Sequence, residues 1–194
     1  MNLKHFILIS ALLLFAYSCN QQSNSSRSEN NSASEEFTNE NVSAIDLHDK
    51  LMSHFSDDWI EREADSEIYP EFYGGSFVDH NGIFVVAVTG NQEKNKQLLI
   101  EILETEEFKT EIVKYSFKDM MLVMDEIDNF LLDVTIPEDH PVLIRFAGAY
   151  PDVMDNRVKV ILTEIDDNTI TTFRKEISNS PLIIFEQGEI PDLY

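Results

Sequence analysis

Apolar and polar positions alternate in two short stretches near the middle of the chain. The segment GSFVD at 75–79 alternates in character, and IFVVAVT at 83–89 is an apolar, mostly β-branched run. HNG at 80–82 lies between them and contains the Asn-Gly pair that is typical of a tight β-hairpin. We therefore predict a hairpin, in which the glycine pair at 74–75 allows an unusual backbone angle or close packing where the chain enters it.

Residues with helical spacing lie on both sides of this hairpin. Upstream, Ser43-x-x-Asp46 has the spacing of a capping box and predicts an amphipathic helix that continues to about residue 64. Its predicted inward positions are Leu47, Leu51, Phe55 and Trp59. Downstream, Asn91 predicts a capped helix to about residue 103. The predicted inward positions of that helix are Leu98, Leu99, Ile102 and Leu103.

A strand and a long helix are predicted next. TEIVKYS at 110–116 alternates like a strand, and Ser116-x-x-Asp119 repeats the capping pattern at the start of a helix over 117–132. The predicted inward positions of this helix are Met120, Val123, Met124, Ile127 and Phe130. Methionine and aromatic residues at helical spacing are ordinarily core, so they do not indicate a cofactor site.

The second half of the chain repeats the pattern of the first. GSFVD at 75–79 matches GAYPD at 148–152 at an offset of 73 residues. After a turn one residue longer, FVVAVT at 84–89 matches VKVILT at 158–163 at an offset of 74. The hairpin is therefore predicted to occur twice.

A capped helix at about 167–177 and a closing strand at 181–187 complete the second copy, so each half has the order ββαβ. The predicted fold is α+β, with two ββαβ-like repeats at about 68–116 and 144–188 after the amphipathic helix, and the long helix between the repeats. Because neither copy can bury its apolar face alone, we expect one domain over 44–194 that contains either one paired core or two like subdomains.

The first 18 residues have the pattern of a signal peptide. Lys4 precedes the apolar run FILISALLLFAY, which is too short to span a bilayer comfortably. Small residues at Ala16 and Ser18 then precede Cys19, the only cysteine, and this arrangement resembles a bacterial lipobox. The resemblance implies that 1–18 is removed and that Cys19 is lipidated. The alternative is an ordinary secretory signal cut after Ser18, which would leave an unpaired thiol in an oxidising compartment.

Residues 20–43 are rich in Asn, Ser and Glu, and they are expected to be disordered because they contain too few apolar residues to offset the entropy of ordering. Together with Cys19 they form a predicted tether, 19–43, with a root-mean-square reach of about 25–30 Å. Bacterial lipoproteins are often retained in the inner membrane by an aspartate after the cysteine. Asn20 stands there instead, so this resemblance implies the outer membrane, with the domain facing the periplasm.

Charge limits the classes of partner. The chain has 14 basic and 36 acidic residues, for a formal net charge of −22. Such a surface repels phosphate backbones and anionic lipid headgroups, so no nucleic-acid partner is expected. The acidity suits a basic protein, a cation such as Ca²⁺, or solubility alone.

The sequence contains no recognisable catalytic set. The glycines at 74–75 precede a strand, whereas a phosphate loop lies between a strand and a helix N-terminus. The histidines lack metal-site spacing, and the cysteine is assigned to the anchor. Oxygen ligands at Asp152, Asp155 and Asn156 could form a calcium site, but a solvated turn is the expectation. We therefore predict a protein without catalytic residues, cofactor or bound metal.

One family resemblance concerns the hairpins. A glycine pair, an aromatic residue, an acid, an Asn-Gly turn and a run ending V-x-V-T resemble the repeated hairpin in the pro-regions of alpha-lytic-type, trypsin-fold proteases. The resemblance implies ββαβ-like units that pack against a protease and assist or inhibit it. No protease domain follows before Tyr194, so such a role is expected to act on a separate chain. The segment 66–190, which ends FRKEISNSPLIIFEQGE at 173–189, also resembles small Bacteroidota-type lipoproteins.

Two functions fit these features. The first is a membrane-tethered protein-binding or scaffolding module, whose candidate contact residues are the aromatics near the glycines: Phe72, Tyr73, Phe77 and Tyr150. The alternative for these aromatics is that they belong to the core. The second function is an inhibitor, foldase or immunity-like partner of a basic protease or toxin, because charge complementarity would speed their encounter.

Overall fold

Two three-stranded sheets of the same topology form the centre of the fold. The computed structural model describes residues 43–190. The first sheet contains β1 (Tyr73–Val78), β2 (Phe84–Val88) and β3 (Lys109–Ile112), in that order. The second contains β4 (Phe146–Asp152), β5 (Arg157–Leu162) and β6 (Ile183–Gln187), also in chain order. In each sheet the first two strands are antiparallel and the last two are parallel.

Helices connect and cover these strands. They are α1 (Ala44–Phe55), α2 (Trp59–Ala64), α3 (Gln92–Leu103), α4 (Phe117–Leu132) and α5 (Asp167–Glu176). Helix α3 joins β2 to β3, and α5 joins β5 to β6, so each half has the order ββαβ. The predicted α+β fold of two repeated units is therefore confirmed. None of the helices in residues 43–190 combines the length and apolarity needed to cross a membrane.

The repeat extends to the irregularities of the strands. The β1–β2 ladder shifts register between Tyr73 and Gly75, and the β4–β5 ladder shifts between Phe146 and Gly148. A β-bulge of this kind adds one residue to a strand and bends it. Because both bulges lie where the chain enters the hairpin, the two copies share the same local backbone design.

Each sheet has its own apolar core. The inner face of the first sheet packs against α1 and α3, and that of the second against α4 and α5. The strand residues at these cores are Phe84, Val86, Val88, Val158, Val160 and Leu162. Burying a side chain of this size stabilises the fold by roughly 1.5–3 kcal/mol.

The first predicted helix is wrong in its extent. The capping box at Ser43 and Asp46 opens α1 as predicted, but the helix ends at Phe55 and a separate helix begins at Trp59. The chain is extended at Ser56, and the Asp58 carboxylate accepts the N–H of Ile60 and caps a new helix. A local cap therefore overrides the spacing of four, and Trp59 lies outside the core.

The two units contact each other through the turn between β4 and β5. Asn156 is buried with a left-handed φ of 51°. Its Oδ1 accepts the N–H groups of Lys114 at 3.1 Å and Tyr115 at 2.8 Å, and its Nδ2 donates to the Tyr115 carbonyl at 2.9 Å. One side chain therefore satisfies three backbone groups and joins the second hairpin to the segment that leaves β3.

Candidate functional site

The second sheet has one face that its own helices do not cover. Val158, Val160 and Leu162 point into the core, so the alternate residues of β5 lie on the opposite face. Across the ladders, Tyr150 pairs with Lys159 and Lys159 pairs with Ile184. We define the outer face as the surface formed by Gly148, Tyr150, Lys159, Ile161, Ile184 and Glu186.

On the corresponding face of the first sheet, the central strand β2 is buried, although its β3 neighbours Lys109 and Glu111 are exposed. Val85 is 4% exposed and Ala87 is fully buried, so β2 is buried on both sides. Beside them, Gly75 has a φ of 112°, and a Cβ at this position would lie 2.4 Å from Cγ1 of Val153 in the β4–β5 turn. At Gly148, the equivalent glycine of the second sheet, a Cβ would meet no described atom within 4 Å. The second sheet therefore presents an open face where the first has a covered one.

A charged cluster occupies the centre of the outer face. The Nζ of Lys159 lies 2.8 Å from a carboxylate oxygen of Asp152, 2.8 Å from one of Asp155 and 3.2 Å from one of Glu186. The side chains of Lys159 and Asp152 are largely covered by this arrangement. Three carboxylates around one ammonium leave the cluster with a net negative charge.

The contacts of the cluster favour the charged forms of Lys159 and Asp152. Hydrogen bonds to Asp152 and Asp155 raise the pKa of Lys159 well above its ordinary value, against the opposing effect of desolvation. Burial raises the pKa of Asp152. The hydrogen bonds from Lys159 and from the N–H of Asp155 outweigh this effect, so the pKa is lower than its ordinary value. A lysine held as a cation is not a nucleophile or a base at neutral pH, so the arrangement suits recognition of a polar partner.

Apolar side chains flank the cluster on the neighbouring strands. Tyr150 is 44% exposed on β4, and Ile184 is 38% exposed on β6. An exposed aromatic and an aliphatic residue beside desolvated charges is a composition found at protein–protein interfaces, in which tyrosine is enriched. The open space at Gly148 additionally permits close approach of a partner's backbone.

The four predicted contact residues do not lie together. Tyr150 is on the outer face, and Phe77 is half-buried at the equivalent position of the first sheet. Phe72 packs against the first core. The predicted contact role of Tyr73 is wrong. Its ring is buried, stacks on Tyr69 and contacts Phe117, which leaves no surface for a partner.

Lys159 and Ile184 are not among the contact residues predicted from the sequence. The signal was present in the repeat, since Lys159 stands 74 residues after Val85, at the offset that aligns the two strands. A lysine that replaces a buried valine at the centre of a repeated strand indicates that the second strand has one polar face.

The turn considered for calcium makes other contacts. Asp152 and Asp155 bind Lys159, and Asn156 binds the backbone of residues 114–115. Within residues 43–190, no group of three or more His, Cys, Asp or Glu side chains has an arrangement that could hold a metal ion. Cys19 and the tether lie outside the described residues, so lipidation stays a prediction.

Comparison with protein families matches both halves of the chain. A model described as a Pro-like N-terminal domain matches residues 25–113, and a model described as a Pro-like C-terminal domain matches residues 118–188. Each match contains one complete ββαβ unit, and the boundary between them falls between β3 and the start of α4. The comparison with curated proteins found no match for the chain.

Proposed function

Because the chain resembles protease pro-regions over both a Pro-like N-terminal and a Pro-like C-terminal domain, we propose that it binds a trypsin-fold protease of alpha-lytic type and inhibits it or assists its folding. The protease is a separate polypeptide in this proposal. The chain acts by binding and contributes no catalytic residue of its own.

The outer face of the second sheet is the proposed contact surface. Its exposure supports this assignment, because on the equivalent face of the first sheet Val85 and Ala87 are buried and Val153 of the β4–β5 turn lies against Gly75. Tyr150 and Ile184 supply the apolar contacts, and the cluster around Lys159 supplies polar ones. A partner that offers a basic side chain beside an apolar surface complements this arrangement.

The overall charge supports a basic partner. A net charge of −22 would steer a basic protease toward the chain and raise the association rate. This steering is screened by salt, so the association rate constant should fall with ionic strength while the dissociation rate constant changes less.

The proposal includes anchoring at the outer membrane through a lipid on Cys19. The lipobox-like sequence before Cys19 supports it. Metabolic labelling with a radioactive fatty acid tests it: the wild-type chain should be labelled, and Cys19→Ser should not. Equal labelling of both would reject the anchor, but it would leave the proposed protease binding untouched.

Binding is tested by titrating the chain, from Asn20 onward, into an active alpha-lytic-type protease with a chromogenic substrate. Saturable inhibition, or a higher yield of active protease after dilution from denaturant, is the expected result. Absence of both effects, together with no binding in a pull-down, would reject the proposal.

Matched variants locate the contact. Tyr150→Ala and Ile184→Asp should each weaken binding roughly tenfold to a hundredfold, as expected for central interface residues. Ile112→Asp is the control, since Ile112 is an exposed isoleucine on the third strand of the first sheet. Equal loss of binding in the control would move the contact away from the outer face.

A further inference from the structure

Helix α2 contributes no residue to the core. It contains six residues, Trp59–Ala64, and none of them is buried. Trp59, the only tryptophan of the chain, is 63% exposed, and Ile60 is 58% exposed. Tryptophan is usually well covered in folded proteins, because its ring offers the largest apolar area of any side chain. Within residues 43–190, an adjacent pair of large apolar side chains therefore lies mostly in solvent.

Local contacts hold the helix in this position without burying it. The Asp58 carboxylate caps its start at 2.9 Å from the N–H of Ile60, and the Arg62 guanidinium donates to the Ser56 carbonyl. After the helix, the Asp65 carboxylate accepts the N–H of Glu67. An isolated helix of this length is marginal in water, so these caps keep a shape that apolar burial does not stabilise.

Acidic residues surround the apolar pair along the chain. The segment DDWIEREADSE at 57–67 contains six carboxylates and one arginine, and the arginine is engaged with the backbone. A cation attracted by this field would meet the face of an exposed indole, and tryptophan forms the strongest cation–π contacts of the aromatic residues.

We propose that α2 is a docking surface for a basic protein, with an arginine or lysine side chain of the partner on the Trp59 ring between the carboxylates and an apolar side chain of the partner against Ile60. Charge complementarity selects this occupant. A bilayer with anionic headgroups, or a nucleic acid, is negatively charged like the carboxylates around Trp59 and is repelled by them. This inference is independent of the proposed protease contact, because it concerns a different surface and different residues.

The single tryptophan makes the site directly observable. Fluorescence excited selectively at tryptophan reports Trp59 without the six tyrosines, so a short peptide of alternating arginine and leucine can be titrated against it. The expected result is a saturable change in intensity that weakens when salt rises from low to physiological concentration. The same peptide with glutamine in place of arginine should bind at least about tenfold more weakly.

Matched variants, measured by calorimetry with the same peptide, assign the contact. Trp59→Ala and Ile60→Ala should each weaken binding by about tenfold or more, because truncating a central apolar contact has this effect. Ile112→Ala is the control, since Ile112 is 57% exposed and lies on a different element. All three side chains are mostly in solvent, so circular dichroism should remain that of the wild type.

A charge-matched pair separates the local field from the net charge. Asp57→Asn with Glu63→Gln should weaken peptide binding, whereas Glu93→Gln with Glu107→Gln, which changes the net charge equally, should not. The proposal is overturned if the neutral peptide binds equally well, if both charge pairs act alike, or if no peptide binds. It is also overturned if vesicles of zwitterionic lipid change Trp59 fluorescence as strongly as the basic peptide does, since the surface would then be one for membranes.

Discussion

The two central strands, β2 and β5, lie between equivalent neighbouring strands but differ in burial. β2 is buried along its whole length, whereas in β5 only the alternate residues Val158, Val160 and Leu162 are buried. Val85 occupies the outer side of β2, and Lys159 occupies the equivalent place in β5. The repeated topology thus fixes the pairing of strands, and the outward residues decide whether a sheet becomes an inner layer or a surface.

Packing between the units reinforces the difference. The β4–β5 turn brings Val153 to Gly75, and Asn156 fastens the same turn to the segment after β3. The turn of the second hairpin therefore covers part of the first sheet. The second sheet receives no such cover at Gly148 from any described residue, and its outer face stays available.

The largest expected effect comes from placing the surface residue in the buried sheet. Val85→Lys places an ammonium at a position that is 4% exposed, where Asp79, the counterpart of Asp152, already binds Lys109, and an uncompensated buried charge costs about 3–5 kcal/mol. We expect the free energy of unfolding to fall by that amount, or the variant not to fold. Urea titration followed by far-UV circular dichroism measures it, because exposed Trp59 would report little of the transition.

The control places the same residue on the open face. Ile184→Lys introduces a lysine at a 38% exposed position, where Lys159 lies opposite and the carboxylates of the cluster lie nearby, so the free energy of unfolding should fall by no more than about 1 kcal/mol. Similar losses in the two variants would contradict the assignment of one covered and one open face.

A smaller effect is expected from the equivalent glycines. Gly75→Ala strains a residue with a φ of 112° and places a Cβ 2.4 Å from Val153, so the variant should lose roughly 2–4 kcal/mol of stability. Gly148→Ala meets no neighbour and should change stability by about 0.5 kcal/mol or less. The measurement is again the urea midpoint of each variant.

A double variant divides the cost at Gly75 into its two parts. Adding Val153→Ala should remove the clash and leave the backbone strain, so Gly75→Ala with Val153→Ala should recover part of the loss. No recovery relative to Gly75→Ala alone would mean that Val153 is not what closes this face.

Local chemistry made much of the fold predictable. Asn81-Gly82 indicated the first hairpin, Ser116 and Asp119 marked the start of α4, and matched letters at 75–79 and 148–152 revealed the repeat. Each of these signals depends on residues close together in the chain, such as a side chain that caps its own helix. The ββαβ order therefore followed from the sequence.

One local cap and several contacts between residues distant in sequence were not predictable from these patterns. The spacing of Leu51, Phe55 and Trp59 is helical throughout, yet Asp58 begins a new helix and leaves Trp59 in solvent. Tyr73 has the appearance of an exposed aromatic beside a glycine turn, and tertiary packing buries it. The cluster at Lys159 likewise depends on Glu186, which only the parallel pairing of β5 with β6 brings close.

The smallest expected difference concerns the two turn aspartates, Asp79 and Asp152. In each, Oδ1 accepts two backbone N–H groups of the turn and Oδ2 binds a lysine, Lys109 or Lys159. The N–H of Ile83 and the Lys109 ammonium hold the pKa of Asp79 well below its ordinary value of 3.8. The pKa of Asp152 is also lowered; burial opposes the shift at both residues, but it is the largest single effect only at Asp152.

Acid titration of stability distinguishes the two turns. A carboxyl group whose pKa is lower in the folded than in the unfolded chain binds fewer protons when folded, so its stabilisation is complete above the ordinary pKa of 3.8 and is lost as the pH falls through the folded value. Asparagine keeps the Oδ1 acceptor and removes the charge, so Asp79→Asn and Asp152→Asn each remove part of this pH dependence. Because burial opposes the shift more strongly at Asp152 than at Asp79, Asp79→Asn should flatten the decline in urea midpoint below pH 3.8 more than Asp152→Asn does. The urea midpoint could instead decline as in the wild type for both variants, or decline less for Asp152→Asn than for Asp79→Asn. Either result would show that Asp79 does not contribute the larger part of the loss of stability in acid.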